Sequence, residues 1–236
     1  MKIQGKGHFE IHNAVQGATA EVMIHGVIGG GFFGDGVIAA DVIKSVQAMN
    51  LKSSDTLRVR INSVGGDYFE GITLYNFFKG LKAKVNIVID ALAASAASLI
   101  AISGDTVDMP ENTYIMIHAV STGFWGNAEQ FIQEAATLKK LQEGTIINYL
   151  ERTKDLTKNE LIAMLYANNG DGTWFSAQEA VDIGFADNVI AQVQAAACID
   201  PSSLGMRPPE DFVAISKPIV SIADRRAQLE NLTAVR

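Results

Sequence analysis

Residues 85–100, VNIVIDALAASAASLI, decide the fold of this chain. Residues 85–89 are rich in β-branched side chains and predict a buried strand. The residues that follow are nearly all small and surround the hydroxyl of Ser95. Small residues suit a sharp strand-to-helix turn, because bulky neighbours would block an exposed serine oxygen. Ser95 is therefore a candidate nucleophile, although on its own this run is more often a tightly packed helix.

Strands and helices alternate on both sides of this stretch. In chain order the pattern predicts a strand at 21–26, a helix at 35–49, a strand at 56–62, a helix at 69–81, the strand at 85–89, a helix at 93–103 and a strand at 114–117. This alternation predicts right-handed crossovers and an α/β fold with a parallel sheet. Ligands of such sheets bind beyond the carboxyl ends of the strands, where Gly65, Gly66 and Ser95 fall.

Two more helices are predicted after the last of these strands, at 127–150 and 156–167. Thr157, with Glu160 three residues on, is the expected N-cap of the second helix. The long helix has an apolar stripe made of Phe131, Ala135, Leu138 and Leu141. Together the two helices are expected to project from the sheet, with the stripe available for an interface.

The ends of the chain differ from its middle. We predict an N-terminal arm at 1–20, one main domain at 21–192 and a C-terminal tail at 193–236. The tail holds prolines at 201, 208, 209 and 218 and little periodic hydrophobicity, so we expect it to be partly extended, with a short helix from Ala223.

Composition excludes several classes of function. The formal net charge of −7 argues against a nucleic-acid partner, which requires a basic face. No stretch approaches the roughly 18 apolar residues of a membrane span, and the start lacks a signal peptide's apolar core, so a cytoplasmic protein without membrane contact is expected. The single cysteine, Cys198, and four scattered histidines predict no disulfide, no metal site and no cofactor.

A serine at its normal pKa needs a nearby imidazole to accept its proton. His8 and His12 lie in the predicted arm, and His25, at the end of the first strand, is interpreted as structural. His118 follows the strand at 114–117, at the same sheet edge as Ser95. His118 is therefore the predicted base, although a strand-end histidine taken alone is more often satisfied by a backbone carbonyl.

Acyl transfer also needs an oxyanion hole, built from backbone N–H groups that can approach a substrate carbonyl. The turn at 62–67, NSVGGD, offers such groups at the end of the second strand. The N–H of Ala96, directly after Ser95, is the expected second donor.

Four motifs together resemble the ClpP family, the proteolytic subunit of the Clp protease. In order they are Asn62-Ser63-x-Gly65-Gly66, Ala93-Ala94-Ser95, Met116-Ile117-His118 and Ser176-Ala177-x-Glu179-Ala180-x-x-x-Gly184-x-x-Asp187. The resemblance covers residues 20–190. The Gly-Gly-Asp sequence and Thr173-Trp174-Phe175 look most like the ClpP-related proteases of phages and prophages that mature capsids.

The resemblance implies a role for each site residue. Ser95 is the nucleophile, His118 is the general base, and the N–H groups of Gly66 and Ala96 form the oxyanion hole. The implied third triad member is Asp171, whose spacing to the last motif is one residue longer than in the family. Gly172 occupies the matching position, so Asp171 reaches His118 only if its glycine-containing loop absorbs the extra residue.

The resemblance also implies the fold and the assembly. The fold is the ClpP/crotonase-type ββα superhelix, an α/β fold from which the helix at 127–150 projects as a handle. In the family such handles interleave between rings, so a homo-oligomeric ring or double ring with an enclosed chamber is expected. Polypeptides are the expected substrates, and an unfoldase ATPase or capsid proteins are candidate partners.

Three functions stay open at this point. The first is a serine endopeptidase, ATP-independent or chaperone-assisted, that cleaves phage capsid or scaffold precursors. The second is a crotonase-like acyl-CoA enzyme, against which the Ser95 and His118 pair argues, since a hydratase needs carboxylates there. The third is a non-catalytic assembly subunit of a capsid or ring, which the displaced Asp171 and the proline-rich tail keep credible.

Overall fold

The structure is a computed structural model that describes residues 8–12, 19–30 and 36–191, with side chains described from residue 19 onward. The predicted tail at 193–236, with Cys198 and the helix expected from Ala223, lies outside the described residues. So does Asp35, where the first helix was expected to begin. The predicted division into arm, domain and tail stays a prediction.

Between residues 20 and 101 strands and helices alternate along the chain as the sequence pattern predicts, whereas the strands at 8–12, 106–110, 173–176 and 188–190 were not predicted. Within the described ranges the elements are β1 (His8–His12), β2 (Ala20–Ile28), α1 (Ala39–Ala48), β3 (Thr56–Gly66), α2 (Tyr68–Lys79), β4 (Lys84–Ala94), α3 (Ala96–Ala101), β5 (Thr106–Pro110), β6 (Tyr114–Ile117), α4 (Ala128–Arg152), α5 (Lys158–Leu165), β7 (Thr173–Ser176), α6 (Ala177–Ile183) and β8 (Asn188–Ile190). None of the helices in these ranges is long and apolar enough to cross a membrane.

The strands form one sheet with a fork at β4. The main path runs β1-β2-β3-β4-β5-β8, and it is parallel except for the antiparallel pair of β1 with β2. The first part of β4 pairs with β5, and its last part pairs in parallel with β6. β7 is antiparallel to β6. The predicted α/β fold with a parallel sheet is confirmed.

The boundaries around β4 differ from the sequence prediction. The strand predicted at 85–89 continues to Ala94, and the helix predicted from residue 93 begins only at Ala96. Residues 92–94 are extended because they pair with β6, and Ala93 also pairs with Ser63 of β3. Ladder pairing therefore overrides the helix propensity of these alanines.

Helices α2 and α3 pack closely against each other. A Cβ atom added to Gly71 would lie 2.9 Å from the Cβ of Ala96, so only glycine at this place allows the approach. Asp67 caps α2 by accepting hydrogen bonds from the N–H groups of Phe69 and Glu70. The close contact holds the first turn of α3, which directly follows Ser95, in place.

Helix α4 has a buried root and an exposed outer part. Its buried side chains lie toward its C-terminal end and are Gln142, Thr145, Ile146 and Tyr149. The predicted stripe residue Phe131 is 52% exposed, and its ring contacts the ring of Phe124 edge-on at 5.2 Å. The predicted Thr157 cap of α5 is confirmed, with Glu160 completing the capping box.

His25 belongs to a buried charged cluster that joins three strands. Its Nε2 atom lies 3.1 Å from Asp90 Oδ2, while Arg60 donates to Asp90 Oδ1 through two nitrogens. The three residues stand on β2, β4 and β3 respectively, so the cluster ties neighbouring strands together. This agrees with the structural role expected for His25.

We expect Phe78→Ala to lower the free energy of unfolding by about 3–5 kcal/mol, because the change leaves a cavity in the core. Phe78 is 1% exposed and belongs to the main hydrophobic core. Phe69, on the same helix, is 63% exposed. Phe69→Ala is therefore the matched control, with an expected change under about 0.5 kcal/mol. Urea unfolding followed by circular dichroism measures both, and equal losses would contradict the assignment of Phe78 to the core.

Candidate active site

The fork of β4 brings three chain segments to one point. Ala93 of β4 pairs with Ser63 of β3, and Ala94 pairs with Met116 of β6. Ser95 then donates its backbone N–H to the carbonyl of Met116 at 2.9 Å. Because all three strands run in parallel, the residues that follow them meet at the same edge of the sheet.

Ser95 forms the predicted sharp turn between β4 and α3. Its backbone angles, φ 55° and ψ −127°, lie in a sparsely populated region that L-residues rarely adopt. The side chain is half-buried, and its Oγ atom lies 2.8 Å from Nε2 of His118. The turn therefore presents the hydroxyl to the imidazole at hydrogen-bond distance.

The contact made by His118 Nδ1 determines which ring nitrogen carries the proton. Nδ1 lies 2.7 Å from the backbone carbonyl of Ala119. A carbonyl can only accept, so Nδ1 carries the proton and Nε2 is left with a lone pair for the Ser95 hydroxyl. Burial lowers the pKa of His118 from 6.5, partly offset by the bond to Ala119 and by the charge of Asp171. The ring is therefore neutral at pH 7, as a general base must be.

The turn at Gly65 and Gly66 packs so closely against its neighbours that neither position has room for a side chain. Gly65 has φ 90°, and a Cβ atom there would lie 2.7 Å from the Cβ of Ser95. Gly66 has φ 147°, and its Cβ would lie 2.0 Å from the carbonyl oxygen of Ile28. The backbone of the turn can therefore line the cleft directly.

The cleft has a volume of about 270 Å³. Gly65, Gly66, Ser95, Ala96 and His118 line it together with apolar and hydroxyl side chains, among them Val64, Leu99, Val120, Tyr68, Thr145 and Tyr149. No carboxylate is among its described lining residues. Across the described ranges, no group of three or more His, Cys, Asp or Glu side chains is arranged to hold a metal ion.

Asp171 does not join this site by a hydrogen bond. It is exposed, it follows the 3-10 turn Asn168–Gly170, and in the described structure the hydrogen bonds of His118 go to Ser95 and Ala119. Gly172 lies directly against the histidine: a Cβ atom there would be 2.6 Å from His118 Cβ and 1.9 Å from the Ile117 carbonyl oxygen. The loop thus leaves no room for a side chain at position 172, and Asp171 acts on His118 only through its charge.

Sequence reasoning missed a second layer of polar groups. Ser98 lies in the run of small residues and gives no sign of a polar role in the sequence, but its Oγ donates to the carbonyl of Ser95 at 2.5 Å and lies 2.6 Å from the hydroxyl of Tyr149. Burial raises the pKa of Tyr149, so its hydroxyl keeps its proton. Ser98 lies three residues after the turn, where a side chain can bond back to the N-cap. Tyr149 lies on α4, far from Ser98 in the chain, and no local signal points to it.

The sequence of this chain is similar to those of known proteolytic subunits. Residues 29–193 match the Clp protease family, and the chain belongs to that family. The proteolytic subunit of the ATP-dependent Clp protease from Deinococcus radiodurans is 28% identical over 141 residues, which are 58% of this chain and 66% of that protein. The corresponding subunit from Streptococcus pneumoniae is 27% identical over 59% of this chain and 70% of that protein.

A solved structure gives the same fold. A mutant ClpP1 from Listeria monocytogenes superimposes with a TM-score of 0.59 at 24% identity, covering 72% of this chain and 91% of that one. The expected ClpP-type fold is therefore confirmed.

We expect the His118 imidazole to titrate below 6.5, because burial disfavours its charged form. Asp171→Asn should lower the pKa of His118 further, since the aspartate charge is one of the two influences that raise it. NMR titration of the ring protons measures both, with His118→Gln to assign the signal. A pKa at or above 6.5, or an upward shift in the variant, would contradict this account.

Proposed function

We propose that this chain is a serine endopeptidase that cleaves polypeptides with Ser95 and His118. The observation that carries the proposal is the 2.8 Å contact between Ser95 Oγ and His118 Nε2, in the tautomer that lets Nε2 accept a proton. A half-buried serine on a strained turn, facing a neutral imidazole in a cleft, has the geometry of an activated nucleophile.

The proposed reaction has two stages. His118 Nε2 takes the proton of Ser95 as its Oγ attacks a peptide carbonyl, and the N–H groups of Gly66 and Ala96 stabilise the oxyanion. His118 then gives the proton to the leaving amine, which breaks the peptide bond and leaves an acyl-enzyme. Water, activated by the same imidazole, hydrolyses that ester and restores Ser95.

The relatives support the substrate class and the assembly. They are named as proteolytic subunits of an ATP-dependent protease, so polypeptides are the substrates that we propose. We also propose a homo-oligomeric ring, since the outer part of α4 exposes apolar side chains such as Phe131 and Ile132. Phage capsid or scaffold precursors as substrates, an ATPase or capsid partner and a cytoplasmic location stay predictions from the sequence resemblance.

A non-catalytic ring subunit is the second candidate. One observation favours it: Asp171 is exposed and does not hydrogen-bond to His118. The acyl-CoA enzyme receives no such support, because the cleft presents no carboxylate among its described lining residues.

Labelling with a fluorophosphonate tests the proposal. We expect intact-mass spectrometry to show one adduct on the wild type, because only an activated serine reacts quickly. Ser95→Ala and His118→Ala should abolish the adduct, while Ser121→Ala, a change at another serine of the cleft, should keep it. A folded, oligomeric wild type that takes up no label would favour the non-catalytic subunit.

Asp171→Asn should reduce the labelling rate of Ser95 by less than about 10-fold. In a triad whose aspartate hydrogen-bonds the imidazole, the same change costs about 10⁴ in kcat. Here Asp171 contributes only its charge, so the main effect should be a shift of the acid limb of the rate profile to lower pH.

Asp182→Asn is the matched control for that change. Asp182 is another exposed carboxylate, bonded to Gln178 on the surface of α6, and its loss should not move the acid limb. A loss near 10⁴ for Asp171→Asn would mean that this carboxylate reaches His118 in the working protein.

A further inference from the structure

The imidazole of a serine protease needs a partner that holds its ring in position. In this chain the partner is the backbone carbonyl of Ala119, 2.7 Å from His118 Nδ1. A carbonyl that orients a ring must itself be fixed, because a peptide free to rotate would hold the ring no better than water would. The groups that anchor this peptide therefore bear on the position of the base.

Gln142 anchors the peptide group between Ala119 and Val120 through its N–H. The carbonyl of Ala119 and the N–H of Val120 belong to one planar peptide group, so fixing one fixes the direction of the other. Val120 donates its N–H to Gln142 Oε1 at 2.7 Å. The preceding peptide is held as well, since Ala119 donates its N–H to the carbonyl of Leu165 at 2.9 Å.

The environment of Gln142 indicates more than a packing role. The residue is 5% exposed at the buried root of α4, and its Nε2 atom is buried with no hydrogen-bond partner among the described residues. Leaving one end of a buried amide unsatisfied is unfavourable for stability. An apolar side chain of equal volume would avoid that penalty but would leave the N–H of Val120 without its acceptor, so the contribution of Gln142 lies in what its Oε1 atom holds.

We propose that Gln142 is the positioning residue for His118, doing through the Ala119–Val120 peptide what the triad carboxylate does in a Ser-His-Asp site. The inference rests on the proposed function, because it assigns Gln142 to the same reaction. It also accounts for a site in which Gly172 fills the space beside His118 and Asp171 stays at the surface.

Gln142→Met tests the proposal, since methionine keeps the volume and removes the acceptor. We expect labelling of Ser95 by the fluorophosphonate to slow by about 10²-fold, the effect of a small misplacement of a catalytic group. With a peptide substrate, kcat should fall and KM should stay unchanged, because Gln142 is not among the residues that line the cleft. Gln142→Glu, which retains an acceptor oxygen, should recover most of the lost rate.

Thr113→Val is the matched control. Thr113 is fully buried directly before β6, the strand that His118 follows, and its hydroxyl donates to the carbonyl of Pro110 at 2.8 Å. Valine keeps the volume and removes one buried hydrogen bond, but at the end of β6 away from the base. Its labelling rate should match that of the wild type, even if its thermal stability falls as much as that of Gln142→Met.

Nitrogen NMR of the His118 ring gives a second readout, one part of which needs only the wild type. We expect the wild type to carry its proton on Nδ1 and Gln142→Met to gain the Nε2–H tautomer. Wild-type labelling in a folded Gln142→Met, or an Nε2–H tautomer in the wild type, would overturn the inference. Failure of the wild type to label Ser95 at all would instead overturn the proposed function.

Discussion

The parallel pairing of the last residues of β4 with β6 is the constraint on which the rest of the site depends. The register that sets Ala94 opposite Met116 places the residue after β4 beside the residue after β6. The pairing of Ser63 with Ala93 does the same for the glycine turn on the other side. A shift of one residue would turn Ser95 or His118 toward the opposite face, because side chains alternate along a strand.

The carbonyl of Ala119 stands against His118 Nδ1, where a Ser-His-Asp triad has an aspartate side chain. The carbonyl of Ala119 fixes the tautomer of His118 without adding a charge, so burial dominates and the pKa of the ring lies below its usual value. The oxyanion donors proposed at Gly66 and Ala96 are backbone groups too. A backbone group keeps its position only if its peptide is held by other contacts. The polar contacts behind the cleft are therefore important, because they hold these peptides.

Helix α4 supplies much of that anchoring. Gln142 holds the peptide next to His118, and Tyr149 contacts Ser98, which in turn bonds to the carbonyl of Ser95. Tyr68, at the start of α2, donates to the carbonyl of Leu141 and accepts from Thr145, which joins the same root to the cleft wall. The exposed outer part of α4 is continuous with this root.

The sequence alone determined the α/β alternation and the turn at Ser95, because hydrophobic period and small residues are local features. Its preference for His118 over His25 as the base rests on the same local evidence, the position of each histidine at a strand end, and stays a proposal. It did not predict that β4 runs to Ala94, since that extension depends on pairing with β6. It also offered Asp171 as the third member of the triad, although the structure keeps this carboxylate at the surface. The polar contacts behind the site, those of Gln142 with Val120 and of Tyr149 with Ser98, were decided by tertiary structure, because hydrogen bonds between distant segments leave no periodic mark in the chain.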